Sequence, residues 1–167
     1  MTSAAQFLRF LLPLLCIGFV IIASLSDIAT RTVRNGLVLI LALAGLAVAP
    51  LTGSLLGALL AASGVFVVAA ICWRCGWLGG ADAKLLGAAT LAIPPGSVLT
   101  FMAAVAISGG LLALLYLVAL PLAPSRNGPL PKGFLARVVR VEGRRIRRGG
   151  PLPYACAIAA GFMFVTL

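Results

Sequence analysis

Histidine is absent from this 167-residue chain, and only three residues are acidic: Asp27, Asp82 and Glu142. Without histidine there is no Ser-His-Asp or Cys-His nucleophile system, no His-Glu-x-x-His zinc helix and no imidazole proton shuttle. Charge of either sign is scarce, at 10% of residues, against about 25% in soluble domains. With 62% of residues hydrophobic and a mean hydropathy of +1.19, a soluble globular domain is excluded. The four cysteines, Cys16, Cys72, Cys75 and Cys156, do not form the pattern of a disulfide framework. Cys72-Trp-Arg-Cys75 has metal or redox spacing, but tetrahedral zinc needs four ligands and no second pair or histidine supplies them. No metal and no cofactor are therefore expected.

Long apolar segments are what remains. At about 20 residues per crossing, six helices take about 120 residues, which suits a single all-α, polytopic membrane domain over residues 1–167. Six transmembrane helices are predicted: 7–26, 36–50, 55–73, a short fourth from near Asp82 or Lys84 to Ile93, 97–120 and 152–167. Pro50 and the Pro94-Pro95-Gly96 run mark two of the stops. Small residues at Ala23-Ser24-Leu25-Ser26 also admit a cleaved signal peptide, although only Arg9 charges its leading region.

Placing the 30–35, 74–84 and 125–150 loops on one side collects twelve of the thirteen Lys and Arg there, leaving Arg9 opposite. That side is expected to be cytoplasmic, with both termini periplasmic. In the 125–150 loop, Phe134, Leu135, Val138, Val139 and Ile146 share one helical face among six arginines, the pattern of a basic helix on anionic headgroups. The excess of +10 thus points to lipid and not to nucleic acid, for which no reading motif accompanies the charge.

Asp27 and Asp82 lie at the inner ends of the first and fourth spans, at one depth and on one side. Each has a bland explanation: Asp27 pairs with Arg31 one turn on, and Asp82 caps the N-terminus of its helix. Together they suggest more. Two facing carboxyl groups share one proton, so that the ionised member deprotonates water while the protonated member polarises a carbonyl. That is peptide hydrolysis without histidine or metal. Gly79 and Gly80 would let the backbone come close to a substrate strand or to the first span, through freedom at positive φ and lack of a side chain. Lys84, off the Asp82 face, reads as an interfacial anchor.

Three stretches resemble the type IV prepilin peptidases, intramembrane aspartyl proteases of the Gly-x-Gly-Asp group, in the short form associated with Flp-type pili and tight adherence. Asp27-Ile-Ala-Thr-Arg-Thr-Val-Arg34-Asn35 is similar to the family's Asp, six residues, Pro-Asn, with Arg34 where proline is usual. Gly79-Gly80-Ala81-Asp82-Ala83-Lys84 resembles Gly-x-Gly-Asp-x-Lys, with Ala81 for the second glycine. Leu152-Pro153-Tyr154-Ala155-Cys156-Ala157-Ile158 resembles the Pro-Tyr-Gly-x-Ala-Ile segment that opens the last span.

The resemblance implies cleavage of prepilin leaders at the cytoplasmic face of the bacterial inner membrane, with Asp27 and Asp82 catalytic and Asn35, Gly79, Gly80, Ala81, Lys84, Pro153 and Tyr154 supporting the site. It implies peptidase action without the N-methyltransferase activity of larger relatives. Two other readings stand beside it: a small proton-coupled transporter or channel using the aspartates as a relay, and a silent pilus-assembly factor. The topology is checked by reagent access to the arginines of 125–150 in intact cells. Reaction only after the membrane is opened is expected, and labelling from outside would reverse the orientation.

Overall fold

The computed structural model of the chain describes residues 3–30, 32–119 and 152–167. Among them are six α-helices and no strand: α1 (Ser3–Thr30), α2 (Asn35–Thr52), α3 (Leu55–Arg74), α4 (Gly80–Thr90), α5 (Val98–Ala119) and α6 (Tyr154–Thr166), with a 3₁₀ turn at Pro95–Ser97. The chain divides into two compact units, one of Met1–Gly109 with Pro153–Leu167, the other Gly110–Leu152. Of the second unit, the described residues are the continuation of α5 from Gly110 and Leu152. The basic 125–150 loop, Glu142 included, lies outside the described residues.

α1, α2, α3 and α5 are long and apolar enough to cross a membrane. They supply four of the six expected crossings. α4 has 11 residues and α6 has 13, so at 1.5 Å per residue each falls well short of a hydrocarbon layer about 30 Å thick. α4 ends at Thr90 rather than Ile93 for local reasons. The Thr90 hydroxyl donates to the Leu86 carbonyl at 2.7 Å, and the Ala92 and Ile93 amides bond back only three residues, tightening the exit before Pro94. α2, by contrast, runs through Pro50 to Thr52, where the Gly53 amide closes it on the Ala49 carbonyl.

α4 is the helix the first unit encloses. It packs against α2, α3 and α6, while α1 packs against α2 and α6. Every residue from Leu85 to Thr90 is buried. Cys16, Val20 and Ala23 of α1, Leu41 and Val48 of α2, Phe101 and Val105 of α5, and Ile158 and Phe162 of α6 complete the core. Ala23, at the site where a signal peptide would be cut, is wholly enclosed in it. α1 therefore belongs to the packed body rather than preceding it.

Helices in a lipid phase gain nothing from leaving water and associate through close van der Waals packing, which small residues permit. Two glycines make such approaches. A Cβ at Gly45 of α2 would stand 2.8 Å from Leu91 Cβ and 3.0 Å from the Ala92 nitrogen, and one at Gly161 of α6 would stand 2.8 Å from the Val105 backbone nitrogen. Beside the latter, Phe101 and Phe162 meet edge to face at 6.3 Å. Gly161→Ala is expected to lower stability in detergent by about 1–3 kcal/mol through overpacking against backbone that cannot yield. Thermal unfolding measures it, with Gly64→Ala, where nothing lies within 4 Å, as the variant that leaves stability unchanged or raised.

Candidate active site

The first corner of the site joins α1 to α2. Asp27 sits in the last turn of α1, 8% exposed, with its Oδ2 sealed from solvent. Its neighbour Ser26 donates to the Thr32 carbonyl at 3.0 Å, and Thr30 donates back to the Ser26 carbonyl at 2.8 Å, so the exit of α1 is closed on itself. Val33 is buried, Arg34 caps α2 and Asn35 is its first residue. Arg34 has φ −64° and ψ 131°, the φ that a proline ring imposes. Arginine at this position thus takes the backbone shape that the family's proline would fix. Arg31, the expected partner of Asp27, lies outside the described residues. The enclosure of Asp27 is unlike the solvated carboxylate of a surface ion pair.

The second corner joins α3 to α4. Gly76, at φ +77°, lets the Trp77 amide reach the Cys72 carbonyl and the Gly76 amide reach the Trp73 carbonyl, the paired bonds of a Schellman helix stop. Cys72 and Cys75 flank that stop as free thiols, and among the described residues no three of His, Cys, Asp and Glu gather to hold a metal. Their spacing belongs to a helix terminus.

Gly79 is the N-cap of α4, so Asp82 stands at the third position of the first turn and not at the cap. Its carboxylate folds back over Gly79: a Cβ there would lie 2.6 Å from Asp82 Oδ2. A Cβ at Gly80 would lie 3.0 Å from the Trp73 indole nitrogen. Neither glycine has a positive φ. Both are needed for missing bulk alone, and what comes close is the aspartate and an indole, not the first span. Ala81, which stands where the family motif has its second glycine, is the second residue of a helix, a conformation that alanine favours over glycine. The first turn of α4 also places the Asp82 carboxylate where unsatisfied amides and the helix dipole favour negative charge.

Lys84 is exposed, and its ammonium donates to Asn35 Oδ1 at 3.2 Å. It is thus a strut between the two corners, and it puts the start of α2 beside the start of α4.

α6 forms the third side. Pro153 is buried as its N-cap, and Tyr154 opens it, half-buried, with its ring over Gly109 of α5 and within electrostatic reach of Asp82. One turn before Asp27, the buried Ser24 hydroxyl donates to Cys156 Sγ at 3.1 Å, locking α1 to α6 two residues beyond Tyr154. Tyr154 also lines a cavity of about 450 Å³ between α3, α4, α5 and α6.

In the sequence Ser24 figures only in a possible cleavage site and Trp73 only at the end of a span, neither as a site residue. A hydroxyl deep in an apolar run was the available signal for the first, and a tryptophan six residues before a double glycine for the second. Arg34→Pro is expected to raise stability by about 0.4–1 kcal/mol, since the native φ already suits proline and the unfolded chain loses freedom. Thermal unfolding reads this, and a loss of stability would show that the Arg34 amide or side chain carries a contact of its own.

No curated protein and no solved structure matches the chain. A family model does, over residues 14–114, more than half of the sequence, taking in both corners from Asp27 through Lys84 while leaving Pro153 and Tyr154 outside. Together with its long apolar helices, that match makes the chain a multi-pass membrane peptidase, and it belongs to the type IV leader peptidase family.

Proposed function

We propose that Asp27 and Asp82 are the catalytic pair of an aspartyl endopeptidase that removes the leader of Flp-type type IV prepilins at the cytoplasmic face of the inner membrane. The observation that carries this reading is the Lys84–Asn35 hydrogen bond, which ties the turn holding Asp82 to the corner eight residues past Asp27. Support comes also from α2 and α6, each packed against the helices of both aspartates. The two unusual residues favour activity over a silent relative, because Arg34 and Ala81 both adopt backbone that their substitution leaves intact.

In this mechanism the ionised carboxylate takes a proton from water while the water oxygen bonds to the scissile carbonyl carbon. The protonated carboxyl donates to the carbonyl oxygen, giving a neutral tetrahedral diol. The C–N bond then breaks, the leaving nitrogen takes the proton removed from water, and the diol's hydroxyl proton returns to the other carboxylate. The titration belongs to the pair as a unit. Trp73 and Trp77, both exposed beside Arg74, are the residues that favour a headgroup level, where water and a bilayer-embedded substrate meet. The positive loops argue for the cytoplasmic side.

Co-expression with a prepilin tests the pair. Asp27→Asn and Asp82→Asn are each expected to reduce processing by at least about 10²–10⁴-fold with unchanged membrane accumulation, and undiminished processing by either rejects the mechanism. In the same assay Gly79→Ala is expected to push the Asp82 carboxylate aside and reduce cleavage by up to about a hundredfold. Because the obstructed atom ends a side chain, folding should survive that change.

A further inference from the structure

α2 and α3 are joined by Gly53 and Ser54 alone, yet each packs far more on α4 than on the other. A wedge stands at their joined end: a Cβ at Gly53 would lie 3.4 Å from Pro95, and one at Gly57 would lie 3.1 Å from it. Pro95 of the 3₁₀ turn thus sits against both helices, and farther along they flank a groove of about 350 Å³ floored by α4. Ala42, Ser63, Phe66, Gly87 and Ala88 shape it, and of the residues lining it Lys84 alone is charged. Ser63 and Phe66 are exposed, so in a bilayer the groove opens on lipid, with no water at hand to fill it.

The dimensions restrict what enters. From Lys84 to Leu91, α4 rises about 10 Å, so the volume leaves a cross-section on the order of 30 Å², against about 80 Å² for a helix about 10 Å across. One extended hydrocarbon chain suits such a slot, and a transmembrane helix is too thick for it. The charge restricts the headgroup. A lysine ammonium has three donors, of which Asn35 Oδ1 takes one at 3.2 Å. Being neutral, Asn35 leaves the charge uncompensated, and as the first residue of α2 it holds the ammonium at a helix end, above the apolar groove. We infer that the groove between α2 and α3 seats one acyl chain of an anionic phospholipid whose headgroup rests on Lys84. A zwitterionic lipid carries its own cation beside the phosphate and gains less there. The site is separate from the chemistry of the two aspartates and does not depend on it.

The probes are phosphatidylglycerol and phosphatidylcholine bearing the same photoreactive acyl chain, each placed in phosphatidylcholine nanodiscs with the full-length protein. Crosslinked residues are located by peptide mass spectrometry, and yields are read relative to the exposed Ile22 and Leu25 of α1, which report the surrounding lipid and cancel any general enrichment by the basic loop. Wild type is expected to react at Ala42, Ser63 and Phe66 about fivefold more with the anionic lipid, the scale of one basic residue's attraction to it. Lys84→Gln, whose amide can still donate to Asn35, is expected to erase that preference, and Lys84→Arg to keep it. Ser63→Phe, which fills the groove from an exposed position, is expected to lower the yield at Ala42 and Phe66 severalfold with either lipid. Equal yields from the two lipids in wild type, or a preference that survives Lys84→Gln, overturns the headgroup contact. An undiminished yield in Ser63→Phe overturns the groove as the seat of the chain. About 1 M salt is expected to erase the preference in wild type as well, so the charge is tested even if Lys84→Gln fails to accumulate. Added prepilin that displaces the lipid would give the groove to the substrate's helix, and a yield lost in discs holding two copies would give it to a second copy; either result overturns the inference.

Discussion

An eleven-residue helix cannot reach across a hydrocarbon layer, and the arrangement of the site follows from how that short helix is held. Its start, with Gly79, Gly80 and Asp82, carries charge and the unpaired amides of a helix N-terminus, which lipid does not tolerate but a protein enclosure does. α2, α3 and α6 provide the enclosure. Gly45 accepts Leu91 and Ala92 at the far end of α4, Gly87 accepts the Phe66 ring at its middle, and Lys84 meets Asn35 at its start. Contacts at three levels along so short an element leave it little room to slide, so the depth of Asp82 is set by packing rather than by its own length.

The same enclosure accounts for the economy in acidic residues. A carboxylate away from water is costly unless its protons and neighbours are arranged to suit it. A chain with three acids that buries Asp27 to 8% exposure carries that cost at a place where chemistry would use it. Around both aspartates the backbone polar groups are closed locally, by Ser26 and Thr30 after α1 and by the Gly76 stop after α3. Each carboxylate thus lies near a helix C-terminus whose backbone is closed locally.

Departures from the family pattern become intelligible at the level of backbone shape. Arg34 holds the φ of the proline it replaces, and Ala81 lies in a helical turn that has no need of glycine. Gly79 and Gly80 matter structurally for the space they leave to a carboxylate oxygen and an indole, not for a left-handed φ. Of the two causes expected for these glycines, freedom at positive φ and lack of a side chain, only the second applies, and sequence shows that a side chain is missing but not what fills the space.

Apolar runs and the positions of proline were enough to foresee helices, their order and their boundaries within a few residues. In lipid the backbone must satisfy its own hydrogen bonds, which leaves helix as the only local solution for such segments. The aspartates, Lys84 and Asn35 were legible as candidates because polar residues are so rare in this chain. Their relations were not. The Lys84–Asn35 bond spans 49 residues and the Ser24–Cys156 bond 132, and no periodicity records a contact between helices. Only the packed bundle decided that Asp82 folds over Gly79, that Trp73 leans on Gly80, and that a cavity opens beside Tyr154, since each depends on how small residues from different helices let their backbones approach.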